Sequence, residues 1–72
     1  MEETKRQKFI RLAESRTNNA LKQIELLGNL SNPHAYEYEP EDVEKIIKTL
    51  KKSIKELEKT LIEAGKENLI HE

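Results

Sequence analysis

The second half of the chain has the more regular pattern of apolar positions. Apolar residues follow one another in alternating steps of four and three, the spacing of a helix face that packs against another helix. This row is called the Ile/Leu seam here, and its members are Val43, Ile47, Leu50, Ile54, Leu57, Leu61 and Ala64. Isoleucine at one core position and leucine at the other is compatible with a two-stranded contact. The partner is either a helix of the same chain or one of another chain.

The first half of the chain keeps the heptad spacing but uses smaller side chains. This row, the Ala/Thr seam, consists of Ile10, Ala13, Thr17, Ala20, Ile24 and Leu27. Its small middle allows another helix to approach closely. Four further apolar residues lie off the seam, and these are Phe9, Leu12, Leu21 and Leu26. The first helix is therefore expected to have more than one neighbour.

Turn-forming residues separate the two patterns and set the predicted boundaries. The prediction is a helix over 3–27, a linker over 28–39, a helix over 40–64 and a tail over 65–72. Gly28 and Gly65 each follow an apolar pattern, where a glycine in the left-handed conformation often ends a helix. Pro40 suits the first turn of a helix, and the acidic residues around it suit the positive end of the helix dipole.

These boundaries predict an all-α fold in a single domain, an antiparallel two-helix hairpin with an irregular linker. A linker of about ten residues is long enough to reverse the chain direction. A lone hairpin buries one face of each helix, and a chain of 72 residues with no disulfide or metal usually needs association for stability. We therefore expect a homodimer that forms a four-helix bundle. The tail either frays or adds a short turn through Leu69 and Ile70.

Composition narrows the possible classes of protein. Lys and Arg number 13 against 14 Asp and Glu, a net charge of −1, which argues against a basic nucleic-acid tail and an acidic disordered one. The absence of cysteine excludes disulfides, thiolate zinc sites and a cysteine nucleophile. The chain has neither an apolar run long enough to span a membrane nor the apolar core of a signal peptide. We expect a cytoplasmic protein that does not contact a membrane.

Catalytic patterns are not found in the sequence. His34 and His71 have no second histidine at helical spacing, so the helical zinc pattern cannot form. The two glycines lie 37 positions apart, which leaves no glycine-rich loop for a phosphate. No serine has a context that suggests activation by a base. We expect no cofactor, no metal and no enzymatic activity.

Polar and aromatic residues form the most unusual feature, around the first helix and the linker. The candidate partner-binding residues are Arg16, Asn19, Asn29, Asn32, Tyr36 and Tyr38, and we call them the Asn/Tyr set. Tyrosine, arginine and asparagine are useful groups at protein interfaces. A structural interpretation stays open beside this one. The asparagines then cap the turn through backbone hydrogen bonds, and the tyrosines cover the open end of the hairpin.

Lysines form a second ordered feature, on the side of the second helix away from its seam. The members of this lysine face are Lys45, Lys48, Lys52, Lys55 and Lys59. They provide the alternative function, a nucleic-acid accessory protein that contacts phosphates. The contacts are made either by this face or by the basic start of the first helix, which consists of Lys5, Arg6, Lys8, Arg11 and Arg16. The lysine face has neither an arginine fork for base edges nor an interleaved aromatic for stacking. A solvated helix face is the simpler interpretation.

The linker region also carries a resemblance. The run from Ile24 to Asn32 reads IELLGNLSN, and it is followed by YEY at 36–38 and DVEKI at 42–46. With Phe9, the run LAE at 12–14 and Arg16, these segments resemble a group of small uncharacterised helical proteins of bacteria and their mobile elements, over about residues 8–60. The resemblance implies a small stand-alone helical protein of bacterial or phage origin. It implies no activity, cofactor or partner.

Overall fold

All regular secondary structure in the described part of the chain is helical. A computed structural model describes the backbone of residues 2–70 and the side chains of residues 2–65. It contains α1 over Lys5–Gly28, a short 3₁₀ turn over Asn29–Ser31 and α2 over Pro40–Ile70. Residues 2–70 contain no β-strand, which confirms the all-α prediction. The chain divides into two units, Met1–Glu37 and Tyr38–Glu72, with one α-helix in each.

A capping box determines where α1 begins. The hydroxyl of Thr4 accepts a hydrogen bond from the Gln7 N–H at 3.0 Å, and Gln7 Oε1 accepts one from the Thr4 N–H at 2.9 Å. Both bonds satisfy backbone donors that would lack a partner at a helix start. The helix therefore begins at Lys5, two residues later than the predicted residue 3.

The end of α1 differs from the prediction. Gly28 is helical, with φ −61° and ψ −29°, and none of the described residues has a positive φ. The Asn29 N–H instead approaches the carbonyl oxygens of Glu25, Leu26 and Leu27 as the helix tightens into the 3₁₀ turn. Because this turn satisfies the last carbonyls by itself, a left-handed glycine is not required.

The start of α2 follows the expectation for a proline and acidic residues in the first turn. Pro40 is the first helical residue, and Glu41 and Asp42 occupy the first turn. Asp42 Oδ2 also accepts a hydrogen bond from the Glu39 N–H at 2.8 Å. The carboxylate thus satisfies a backbone donor and lies at the positive end of the helix dipole.

The far end of α2 lies beyond the predicted residue 64. The helix continues through Gly65 to Ile70, so Gly65 does not end it. An internal glycine costs about 1 kcal/mol of helix stability relative to alanine, and a following run of good helix formers can offset that cost. The predicted end at Gly65 was wrong, and the last part of the predicted tail, residues 71 and 72, lies outside the described residues.

Neither unit buries a side chain among residues 2–65. Every side chain in that range is exposed except Leu12, Ala13 and Leu50, which are half-buried. Each helix therefore leaves its apolar face uncovered by the rest of its own unit. Neither described helix is long and apolar enough to cross a membrane.

Candidate interaction surfaces

The Ile/Leu seam is an apolar row on one face of α2 that is exposed except at the half-buried Leu50. The exposed fractions are 44% for Ile47, 58% for Ile54, 57% for Leu57 and 53% for Leu61. From Ile47 to Leu61 the row extends about 21 Å at 1.5 Å per residue. An uninterrupted apolar row at heptad spacing is typical of a helix that pairs with another helix.

The two sides of the Ile/Leu seam differ in charge. One side, called the charged flank here, carries three residues of alternating sign spaced by seven positions, and these are Glu44, Lys51 and Glu58. The other side carries three uncharged residues at the same spacing, and these are Ile46, Ser53 and Thr60. The charged flank forms no ion pair among the described side chains, where Glu3 and Arg11 make the one salt bridge. Its charges are therefore available to a neighbour.

The lysine face lies opposite the Ile/Leu seam. At 100° per residue, its five members fall within about 80° of arc on the far side of α2. All five are exposed, and none forms a salt bridge with a described carboxylate. A partner packed on the Ile/Leu seam would leave these ammonium groups in solvent.

The basic start of α1 is partly engaged within its own unit. Arg11 forms a bidentate pair with Glu3, with Nε to Oε2 at 2.8 Å and a second contact to Oε1 at 3.0 Å. This hydrogen bond, together with the guanidinium charge, lowers the pKa of Glu3. The Arg6 guanidinium lies 5.7 Å from the centre of the Phe9 ring, within the range of a cation–π contact. Sequence reasoning missed both contacts.

The Asn/Tyr set does not form one continuous patch. Arg16 and Asn19 are three residues apart and share a side of α1, whereas Asn29 and Asn32 follow the end of the helix. Asn19 and Asn29 are separated by about 15 Å of helix. The set therefore divides into a helix group and a linker group.

Asn32 organises the linker. Its Oδ1 accepts a hydrogen bond from the His34 N–H at 3.0 Å. Its carbonyl oxygen accepts from the N–H groups of Ala35 and Tyr36 at 3.2 and 3.0 Å. This is the side-chain turn that asparagine favours. The bonds support the capping interpretation for Asn32.

The two tyrosines are half exposed. Tyr36 has an exposed fraction of 51% and Tyr38 one of 50%. Tyr36 lies near the end of its unit, beside the Asn32 turn, and Tyr38 begins the unit of α2. Exposed tyrosine rings are suitable contact groups because they add large apolar area at little cost in side-chain entropy.

The carboxylates near the start of α2 do not form a metal centre in the described structure. Within the described residues, no group of three or more His, Cys, Asp or Glu side chains is arranged to hold a metal ion. Asp42 serves the helix start through its bond to the Glu39 N–H. The acidic residues there stabilise the helix end through the dipole.

Comparison with known proteins does not indicate a function, so the surfaces described above are the basis for proposing one. No family model, curated protein or solved structure matches the chain. The resemblance of residues 8–60 to small bacterial proteins therefore stays a prediction.

Proposed function

We propose that the protein is a homodimeric, non-enzymatic helical module that binds another protein. The exposure of the Ile/Leu seam carries this proposal. Ile54 and Leu57 are both more than half exposed, yet they occupy adjacent core positions of a heptad pattern. Burial of such side chains contributes about 1.5 to 3 kcal/mol each, which provides a driving force for association.

The proposed assembly is a four-helix bundle of two antiparallel hairpins. In a bundle, each helix contacts neighbours on both sides of its apolar row. The uncharged flank of α2, with Ser53 and Thr60, suits close packing with the small middle of the Ala/Thr seam at Ala13 and Ala20. The charged flank is left for a different neighbour.

Two groups of residues would bind the partner protein. The helix group, Arg16 and Asn19, shares one side of α1 with the apolar residues Phe9 and Leu12. Such a mixture of an arginine with apolar and amide groups is common in protein interfaces. The linker group adds the two tyrosine rings, and the Asn32 turn holds Tyr36 in position.

The partner surface can be tested by a pull-down from a bacterial cell extract. We expect a Tyr36→Ala/Tyr38→Ala variant to recover a wild-type partner at least about tenfold less well, since loss of aromatic interface anchors costs 1 kcal/mol or more each. His34→Ala is the matched control, because it alters the same linker but keeps both rings. Circular dichroism checks that all proteins remain helical. Unchanged recovery with the folded double variant would remove the linker from the proposal.

A second candidate function is nucleic-acid binding through the lysine face. It is favoured by the exposure of these lysines and by their position opposite the Ile/Leu seam. Contacts to phosphates release counterions, so binding should weaken steeply with salt. Fluorescence anisotropy with duplex and single-stranded oligonucleotides at low salt tests this candidate, with Lys52→Glu/Lys55→Glu as the variant. Absence of binding at low salt would exclude it.

A further inference from the structure

We propose that the α2 helices of two copies pair antiparallel, with the two-fold axis near Ile54 and Lys55. The inference rests on the homodimer proposed above and adds its orientation and register. It is carried by the charged flank, where Glu44, Lys51 and Glu58 alternate in sign beside an exposed apolar row.

The charge pattern distinguishes the two orientations. In an antiparallel pair, the charged flank of one helix faces the same flank of the other, whereas in a parallel pair it faces the opposite flank. That opposite flank carries Ile46, Ser53 and Thr60, which have no charge. A parallel pair would thus leave the alternating charges without partners. Flanking charges set the orientation of paired helices, so the pattern favours the antiparallel arrangement.

The alternation also selects a register. When Lys51 lies opposite Glu58 of the second copy, symmetry places Glu58 opposite Lys51 of that copy, and two ion pairs form. A shift that centres the pair on Lys51 brings together two lysines and, beside them, Glu44 with Glu58. Like charges in direct opposition destabilise such contacts. A further shift in the same direction places Lys51 opposite Glu44 of the second copy, which restores opposite charges. In that register, however, Leu57 and Leu61 lie beyond the overlap of the two helices. The first register covers both leucines.

Charge exchange tests the arrangement in the full chain. We expect Lys51→Glu alone, and Glu58→Lys alone, to weaken the homodimer about tenfold at low salt, because two attractive pairs become two repulsive ones. In an equimolar mixture of the two single variants, the heterodimer should have wild-type affinity. One of its two ion pairs has the charges exchanged, and the other is the native pair. The double variant should dimerise like the wild type. Sedimentation equilibrium measures all four samples, and 1 M salt should reduce the differences.

Matched controls separate register from general charge effects. Lys55→Glu makes the same exchange on the lysine face and should leave the dimer constant within about twofold. Glu44→Lys also lies on the charged flank, but in the proposed register it faces the uncharged Gly65, so it should also have little effect. If Glu44→Lys weakens the dimer as much as Glu58→Lys does, the register is wrong.

The outcomes distinguish this inference from the proposal beneath it. A wild-type chain that stays monomeric across the concentration range would overturn the homodimer and the antiparallel pair together. A wild-type dimer that is insensitive to both single exchanges, and that shows no heterodimer preference in the mixture, would overturn the antiparallel pair alone.

Discussion

The two helices of this protein are stabilised at different places. α1 is secured at its beginning, where the Thr4–Gln7 capping box and the Glu3–Arg11 ion pair form within one unit. α2 also has acidic residues at its beginning, but its main expected source of stability is the covering of the Ile/Leu seam. That seam has large aliphatic side chains at the positions where the Ala/Thr seam has Ala13, Thr17 and Ala20.

This difference separates local from non-local stability. Caps and short-range ion pairs act on the helix that contains them, whatever its surroundings. An exposed apolar row contributes only when a second surface covers it. We therefore expect α1 to be sensitive to changes at its start, and α2 to be sensitive to changes in its seam and to protein concentration.

The largest expected effect comes from removing bulk from the Ile/Leu seam. Ile54→Ala should lower the free energy of unfolding of the proposed dimer by about 2 kcal/mol or more per subunit, because an isoleucine that is exposed in the single chain and covered in the dimer loses its contacts and leaves a cavity. The corresponding change in the Ala/Thr seam, Thr17→Ala, should alter it by less than about 0.5 kcal/mol, since alanine is the better helix former. Urea unfolding at several protein concentrations measures both. Equal effects would contradict the comparison.

Patterns within about one heptad could be predicted from the sequence. The heptad spacing predicted helix in both halves of the chain, and Pro40 with the acids at 41 and 42 predicted the start of α2. Each of these signals acts between residues a few positions apart. Such short-range effects are visible in a single sequence.

The glycines and the start of α1 could not be predicted in the same way. Glycine permits a left-handed conformation but does not require it, so Gly28 and Gly65 remain helical when the following residues continue the chain turn. The cap at Thr4 precedes the charged and polar run at 5–8, so it lacks the adjacent apolar residue that usually marks a helix start.

The candidate site was only partly predictable. The residue types that could bind a partner were visible, but their distribution was not. Once α1 forms a regular helix, its rise of 1.5 Å per residue separates Asn19 from Asn29. The turn at Asn32 uses its side chain for structure, a role that composition cannot distinguish from binding.

A smaller effect is expected at the cap of α1. Thr4→Ala removes the acceptor for the Gln7 N–H and should cost about 1 kcal/mol of helix stability. Hydrogen exchange should then be faster at the first turn of α1 and unchanged in the middle of α2. Thr4→Ser keeps a hydroxyl acceptor and is the matched control. Faster exchange in both helices would mean that the cap influences more than its own helix.

The smallest expected effect is the pH dependence of the Glu3–Arg11 pair. The hydrogen bond from Arg11, with its positive charge, lowers the pKa of Glu3 below the ordinary value of 4.5. A carboxylate with a lowered folded-state pKa contributes stability that is present above its unfolded pKa and is lost as the pH falls through the folded one. We therefore expect the start of α1 to loosen as the pH falls below about 4.5. Both groups are exposed, so salt should screen the effect.

An NMR titration of the Glu3 side chain measures this contribution directly. The carboxylate of the wild-type chain should titrate at lower pH than that of an Arg11→Gln variant, in which the charge-assisted hydrogen bond is lost. Arg6→Gln is the matched control, because Arg6 lies over Phe9 and does not bond to Glu3. If Glu3 titrates identically in the wild type and in Arg11→Gln, the ion pair does not secure the start of α1. The stability of that end would then come from the capping box alone, and the contrast with α2 would depend on Thr4 and Gln7.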